Sequence, residues 1–331
     1  MHPDIRWGIL GPGSIAHKFA QAFAFVPNGR IIAVGSRNLS RARQFANRYH
    51  IPRFYGSYED MLTNASIDVV YIATPHGRHY EDIRMCLNHN KAVLCEKSFT
   101  LNAQQAREVC RLAENKQLFL MEAMWTRFLP VMQLLKQKFN KGDIGHLQLL
   151  SADLGFRFPF NAQNRLFNLK LGGGALLDIG VYPVSLSYWL LGKPQHIASQ
   201  AVLGISGVDE QAGMVFKYAK GTLAHLLVSL RSATPSQGIL AGDTGMMILK
   251  APLYCPEGIL WIDNNGNKEY IKAELEGNGF NYEIIEVNRC LLRGYLQSEI
   301  MPWKDTIEIM EIMDGLRKQW GLRYPQESGW A

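Results

Sequence analysis

Four short segments carry residue types suited to gripping a phosphorylated cofactor and moving a proton. Gly11-Pro12-Gly13-Ser14-Ile15-Ala16 reads GxGxxA. The first glycine permits a tight turn, the second lets a pyrophosphate approach the backbone, and the small Ala16 lets a following helix pack closely on its strand. A helix opening at Ser14 and Ile15 would offer free N–H groups and a partial positive charge to phosphates. About twenty residues further on, where an acidic residue would bind the ribose 2′-hydroxyl of NAD, stand Ser36 and Arg37. A hydroxyl beside a guanidinium suits a 2′-phosphate instead, so NADP(H) is expected over NAD(H). Thr74-Pro75-His76, with Arg78 and His79 behind it, and Glu96-Lys97 complete the set. A lysine beside a dinucleotide site can transfer a proton or polarise a carbonyl; the alternative is an exposed Glu96–Lys97 ion pair. His76 is expected at the site, and His79 either there or already on the next helix.

These segments need a scaffold that brings them together, and the first 120 or so residues have the rhythm of one. Apolar runs without polar alternation occur at Ile5–Leu10, Ile31–Gly35, Asp68–Ala73, Ala92–Cys95 and Leu118–Met121. Such runs suit strands covered on both faces. Helical spacing fills the gaps at Ile15–Phe25, Leu39–Tyr49, Tyr80–Asn88 and Ala103–Asn115. The alternation predicts a doubly wound parallel sheet whose strand ends carry the four segments to one crevice.

Beyond Trp125 the pattern changes. Helical spacing at Met132–Phe139 precedes a strand-like run at Leu147–Leu154 and a long helix over Ala175–Leu191, despite Pro183. Strands separated by turns follow from Ile197 to about Ile271, including an Asp263–Asn267 hairpin signal. Helices over Asn281–Leu296 and Trp303–Trp320 close the chain. The reading is α/β: a Rossmann domain over 1–123, then an α+β substrate-binding and dimerisation domain over 124–331 with an open, mainly antiparallel sheet.

Composition sets the outer limits. The 331 residues are 47% hydrophobic and 19% charged, ordinary for a globular protein of two domains. The net charge of +6 is scattered, with no basic stripe or nucleic-acid module, so no nucleic-acid partner is expected. A mild positive balance also suits an anionic cofactor. Five cysteines without a CxxC pair or a Cys/His cluster point to reduced thiols and no metal. The Met1-His2-Pro3-Asp4 start shows no signal peptide. No uninterrupted apolar stretch reaches the roughly 18 residues of a membrane span. The expectation is a cytoplasmic protein with no membrane partner.

The chain resembles the glucose–fructose oxidoreductase / inositol dehydrogenase / rhizopine-catabolism (Gfo/Idh/MocA) family over essentially its whole length. The likeness rests on GxGxxA, on Ala73-Thr74-Pro75-His76, on Glu96-Lys97 and on Asp178-Ile179-Gly180-Val181-Tyr182. Within the family it looks most like the dimeric dihydrodiol dehydrogenase branch, which also acts as an NADP-linked D-xylose dehydrogenase. Met121–Phe128 and Gly172–Pro183 carry that closer match. The resemblance implies hydride transfer between nicotinamide and a secondary alcohol or carbonyl of a sugar or cyclic diol, in a homodimer built through the second sheet. Alternatives are the same fold acting on an inositol, anhydro-sugar or amino-sugar, or a non-catalytic dinucleotide sensor.

It also implies catalytic roles for Lys97, Tyr182 and Asp178. Asp178 and Tyr182, four apart on an expected helix, would share one face. Free tyrosine and lysine titrate near ~10 and ~10.4, so either must shift by roughly 2–3 units to exchange protons efficiently at neutral pH. Tyr182 would handle the substrate proton, Lys97 tune or relay it, and Asp178 orient substrate or lysine. Core packing of Tyr182 and another polar partner for Asp178 are the alternatives. Trp125, Arg127 and Phe156 are expected at the substrate, Trp125 equally as domain packing. Two departures stand out. Ser98 follows Lys97 where the family usually has proline, which predicts a less rigid loop. Tyr182 stands where histidine is often found, as in the dihydrodiol dehydrogenase branch.

Overall fold

The computed structural model describes residues 4–327, so the Met1–Pro3 start lies outside the described residues. By backbone contacts the chain forms two units. One takes the chain up to Thr100, Gln104–Phe128 and Leu275–Thr306; the other takes Leu101–Ala103, Leu129–Glu274 and the chain from Ile307 onward.

The first unit holds β1 (Ile5–Leu10), α1 (Ser14–Ala22), β2 (Gly29–Gly35), α2 (Leu39–Tyr49), β3 (Arg53–Tyr55), α3 (Tyr58–Asn64), β4 (Val69–Ile72), α4 (His76–Asn88), β5 (Ala92–Glu96), most of α5 (Ala103–Lys116) and β6 (Leu120–Ala123). Its six strands are all parallel in the order β3-β2-β1-β4-β5-β6. The order reverses between β1 and β4, and ligands of doubly wound sheets bind at that switch point, beyond the carboxyl ends of the strands. β4 and β5 are buried along their whole length, which is why they read as continuous apolar runs. Trp7 anchors the opposite end, edge-on to Phe19 and Phe23, with its indole N–H donated to Asn288 Oδ1 at 3.0 Å. That bond spans 281 residues of sequence and helps hold the returning segment Leu275–Thr306 on this unit.

The second unit holds α6 (Pro130–Lys141), β7 (Leu147–Gly155), α7 (Val181–Leu191), β8 (His196–Leu203), β9 (Asp209–Lys217), β10 (Leu223–Ser229), β11 (Gly238–Gly242), β12 (Gly245–Leu249), β13 (Ile259–Asp263) and β14 (Lys268–Ile271). Between β14 and the chain end come α8 (Phe280–Leu292), on the first unit, and α9 (Trp303–Trp320), whose residues from Ile307 belong to the second. The eight strands form one open sheet in the order β14-β13-β12-β11-β7-β10-β9-β8, antiparallel except for the β7–β10 pair. One face is buried. The other presents a row of apolar side chains: Leu223 lies opposite Leu149, Val215 opposite His225, and Leu227 is also exposed.

The long helix expected over Ala175–Leu191 is not α-helical throughout. Leu176–Gly180 is a π turn, with the Val181 N–H reaching back to the Leu176 carbonyl. Pro183 supplies a cause: it has no N–H to give the Ile179 carbonyl, and its ring crowds that carbonyl, so the turn before it widens. The helical run Leu169–Leu191, 23 residues with a mean hydropathy of 1.3 in its most apolar window, has the length and composition to cross a membrane, although Lys170 and Asp178 interrupt it. Of that window, 83% is buried inside the protein, the condition of a core helix.

Candidate functional site

The glycine turn sits where β1 ends. Gly11 has φ +84°, a conformation that a side chain disfavours, and a Cβ there would come within 3.0 Å of the Thr74 methyl and 3.2 Å of the Ala73 carbonyl. Gly13, the N-cap of α1, is different: nothing lies within 4 Å of a Cβ built on it. That space adjoins the N–H groups of Ser14 and Ile15, which no side chain caps, and the first turn of α1 holds no acidic residue. An open cradle at a helix start fits a pyrophosphate.

At the end of β2 the backbone N–H of Ser36 donates to the Tyr55 carbonyl at 3.1 Å, and its hydroxyl accepts from the Asn38 N–H at 3.2 Å. Arg37 is exposed. Its guanidinium and that of Arg78 both act on the Tyr58 hydroxyl, whose pKa is nevertheless raised, chiefly by burial and by Asp82. Two arginines, one just after β2 and one in the first turn of α4, thus act on one phenol, an arrangement able to receive an anion.

Beyond β4, the helix α4 begins at His76, with Pro75 as its N-cap. The first turn is therefore part of the site rather than a loop before it. The Thr74 hydroxyl donates to Asp82 Oδ2 at 2.7 Å, and Arg78 pairs with Asp82 Oδ1 at 2.8 Å. His79 is fully buried. Its ring nitrogens lie 2.8 Å from the Ser98 carbonyl and 2.7 Å from the Thr74 carbonyl, so the ring ties the loop after β4 to the loop after β5. Burial lowers the His79 pKa, with the two carbonyls and Asp82 acting in the other direction. His76 meets it edge-on, with ring centroids 5.6 Å apart.

Glu96 ends β5 and accepts from the Tyr71 hydroxyl of β4 at 2.5 Å, within a cluster in which Tyr71 stacks on Phe19. Lys97 follows directly, and the Lys97–Ser98 peptide is cis. The less rigid loop expected from Ser98 is not what forms: Ser98 is fully buried and its carbonyl is held by His79. Gly11, Gly13, Ser14, Ile15, Ser36, Arg37, Thr74, Pro75, His76, His79, Glu96 and Lys97 are thus all placed at the carboxyl ends of β1, β2, β4 and β5.

Trp125 and Arg127 lie in the turn after β6. Trp125 stacks on Phe280 with centroids 4.7 Å apart and planes 14° from parallel. Arg127, expected at the substrate, is instead 2% exposed, paired with Asp305 at 2.6 Å and donating to the Ile300 carbonyl at 3.3 Å. It ties this turn to the returning segment.

In the second unit, Asp178 Oδ1 accepts from Arg165 at 2.6 Å. The Tyr182 ring lies 5.9 Å from that of Tyr254, which in turn lies 6.2 Å from Phe156; Phe158 is 6.1 Å from Phe156. Gly173 and Gly174 make the helix start possible. A Cβ on Gly173 would fall 2.6 Å from the Arg165 carbonyl, and one on Gly174 (φ +123°) 2.1 Å from Asp209 Oδ1. Asp209 Oδ2 accepts the Leu176 N–H at 2.6 Å, and burial lifts its carboxyl to about 7. Sequence reading gave no role to Asp209, which stands in no motif, or to Glu122, which lies within the Met121–Phe128 stretch; both are buried acids, and burial of a single acid leaves no periodic trace.

Residues 5–124 match the family model "Oxidoreductase family, NAD-binding Rossmann fold" of the Gfo/Idh/MocA group, and residues 132–248 match "GFO/IDH/MocA C-terminal domain". The chain is 32% identical over 335 residues to trans-1,2-dihydrobenzene-1,2-diol dehydrogenase of Mus musculus, covering 98% of this chain and 99% of the relative. The enzyme of the same name from Xenopus laevis is 33% identical over 330 residues, covering 97% and 99%. Among solved structures, KijD10, a 3-ketoreductase from Actinomadura kijaniata in complex with NADP and TDP-benzene, superposes with a TM-score of 0.85 at 24% identity, over 95% of this chain and 97% of that one. Levoglucosan dehydrogenase in complex with NADH and levoglucosan gives 0.88 at 15% identity, over 96% and 97%. At these identities the superpositions establish the fold.

Proposed function

This chain belongs to the Gfo/Idh/MocA family of oxidoreductases, and on that footing we propose that it is an NADP(H)-dependent dehydrogenase or reductase acting on a secondary alcohol or carbonyl of a sugar or cyclic diol. The observation that carries the substrate class is the full-length likeness to trans-1,2-dihydrobenzene-1,2-diol dehydrogenases at 32–33% identity. For the phosphorylated nucleotide it is the hydroxyl and guanidinium of Ser36 and Arg37 after β2, with no carboxylate among residues 35–38.

Gly11, Gly13 and the first turn of α1 would hold the pyrophosphate, and Ser36 and Arg37 the 2′-phosphate. Thr74, Pro75, His76, Glu96 and Lys97 would line the nicotinamide end, with His79 bracing their two loops. Bound there, the nicotinamide supplies the hydride donor or acceptor. Lys97 Nζ holds or releases a proton for the substrate oxygen. Under the same proposal the Tyr182 hydroxyl handles the substrate proton with Lys97, and Asp178 gives orientation, with Trp125 and Phe156 as apolar walls for a ring-shaped substrate; the family likeness supports this reading. The exposed apolar row of Leu149, Val215, Leu223 and Leu227 supports a homodimer formed through the second sheet. The five cysteines, none in a disulfide, support a reducing, cytoplasmic setting. The partner we assign is thus a small carbohydrate or cyclic diol, with neither nucleic acid nor membrane.

Replacing Arg37 by Ala tests the nucleotide assignment. Loss of a charge-assisted hydrogen bond should weaken NADPH binding about 10- to 100-fold and leave NADH binding nearly unchanged. Fluorescence titration of both nucleotides reads the difference; equal loss for both, or loss for neither, would contradict the assignment.

A further inference from the structure

The strand register places a buried acid beside the Lys97 end of β5. β5 and β6 run parallel with Cys95 opposite Glu122 and Glu96 opposite Ala123. Side chains alternate faces along a strand, so Cys95 and Glu122 fall on one side of the sheet, and Lys97 follows two residues after Cys95, just past the end of β5. Glu122 is 2% exposed. Thr306 Oγ1 donates to its Oε2 at 3.0 Å, while Oε1 lies buried with no hydrogen-bond partner among the described residues. A buried carboxyl oxygen left unmatched is costly unless the group carries a proton or has a cation to answer.

The groups that face it can be named from every element packed around it. Arg127 comes from the turn after β6, Lys97 and the Phe99 N–H from the segment after β5, and Thr306 from the start of α9. Cys95 on β5 and Cys110 on α5 also face it, their thiols raised chiefly by burial and so neutral at pH 7. Of the two cations, Arg127 stays charged in proteins and is already committed to Asp305 at 2.6 Å. Glu122 is the group of this cluster that burial brings to titrate near neutral pH.

We propose that Glu122 is a positioning residue for Lys97: as a carboxylate it draws and orients the ammonium at the end of β5, and as a carboxylic acid it lets go. This rests on the reading of Lys97 as the proton-handling side chain. Burial sets Glu122 near the point where both forms are populated. Its pKa is lifted to about 7 against the Thr306 donor, Arg127, the Phe99 N–H and Lys97, which favour the ionised form. A pH-dependent rate would therefore report the ionisation of Glu122 beside the Lys97 ammonium.

The test reads Glu122 directly, in the nucleotide-free full-length protein labelled with carbon-13 at the glutamate carboxyl. The resonance absent from E122Q is Glu122. It should titrate near 7 in the unchanged protein and move up in K97M, because one of the two cations favouring the carboxylate is gone. In parallel, kcat/KM against pH with NADP and D-xylose should show an inflection near neutral pH that E122Q loses and E122D keeps. At the pH optimum kcat should fall about 10-fold or more in E122Q, with NADPH affinity retained. If E122Q does not fold, Thr306→Val serves: loss of the donor to Oε2 should move the same inflection up. A Glu122 midpoint indifferent to K97M, or an E122Q profile that superimposes on the original, would overturn the proposal and leave the assignment of Lys97 standing. Turnover retained by K97M would instead remove that assignment, a result the carboxyl titration does not depend on.

Discussion

Replacing Lys97 by Met is expected to lower kcat by about 10²- to 10⁴-fold, the usual contribution of a positioned acid–base group, with little change in NADPH affinity. The asymmetry follows from where the parts sit. The proposed pyrophosphate cradle belongs to the β1–α1 turn and the proposed 2′-phosphate cluster to the end of β2, whereas Lys97 follows β5, two strands away from β1 across β4. Met keeps much of the side chain's length and apolar stem and removes only the charge and its protons. The frame around it should hold, because the neighbouring loop is pinned by the His79 bridge to the Ser98 and Thr74 carbonyls and by the Tyr71–Glu96 bond. Stopped-flow measurement of a single turnover, beside equilibrium titration of NADPH, separates the two effects. Near-normal turnover would rule out Lys97 as the proton-handling group.

The largest effect on stability is expected at Arg317, in the second unit. Its side chain is fully buried and donates to both carboxylate oxygens of Glu327 at 2.8 Å, to Asp314 at 2.9 Å and to the Leu101 carbonyl at 2.8 Å. Arg317→Met would leave the fully buried Glu327 carboxylate and the partly buried Asp314 without their cation, a change that costs roughly 3–5 kcal/mol. For a unit of this size the midpoint of thermal unfolding should fall by roughly 10 °C. The effect depends on pH with a definite sign. Burial alone would raise the Glu327 carboxyl, but the Arg317 contacts outweigh it and hold the pKa below its ordinary value. A depressed acid contributes stability above its unfolded pKa of about 4.3 and loses it as pH falls below. The variant's deficit should therefore be larger at pH 7 than at pH 4, because Asp314, lifted by burial to about 6, and then Glu327 take up protons as the pH falls. Thermal unfolding followed at both pH values checks this, and a deficit under about 1 kcal/mol at pH 7 would contradict the account.

Much of the scaffold was legible in the amino-acid order because its strands and helices bury regular patterns. Ile5–Leu10, Leu39–Tyr49 and Trp303–Trp320 are read from the sequence with the bounds the structure gives them. β3 and α3 were not. A three-residue edge strand with an exposed arginine, and a seven-residue helix, are too short to show a period. The sequence starts α4 four residues late because its first turn, His76-Gly77-Arg78-His79, is polar, and the burial of His79 depends on partners outside the helix. The return of Leu275–Thr306 to the first unit is made by contacts such as Trp7–Asn288, which no local pattern announces. The site divides the same way. The glycine turn and the strand-end residues have fixed spacing and could be found by motif. Glu122 and Asp209 are set apart by burial and by their neighbours, which only the fold supplies.

The most direct test of an NADP(H)-linked oxidoreductase is nucleotide binding followed by turnover on one sample. NADPH and NADH are titrated by fluorescence, and nicotinamide absorbance is then followed with D-xylose and with a trans cyclic diol. The account predicts NADPH binding tighter than NADH binding by about 10-fold or more, and NADP reduction by at least one of the two substrate classes. Failure to bind either nucleotide would contradict it.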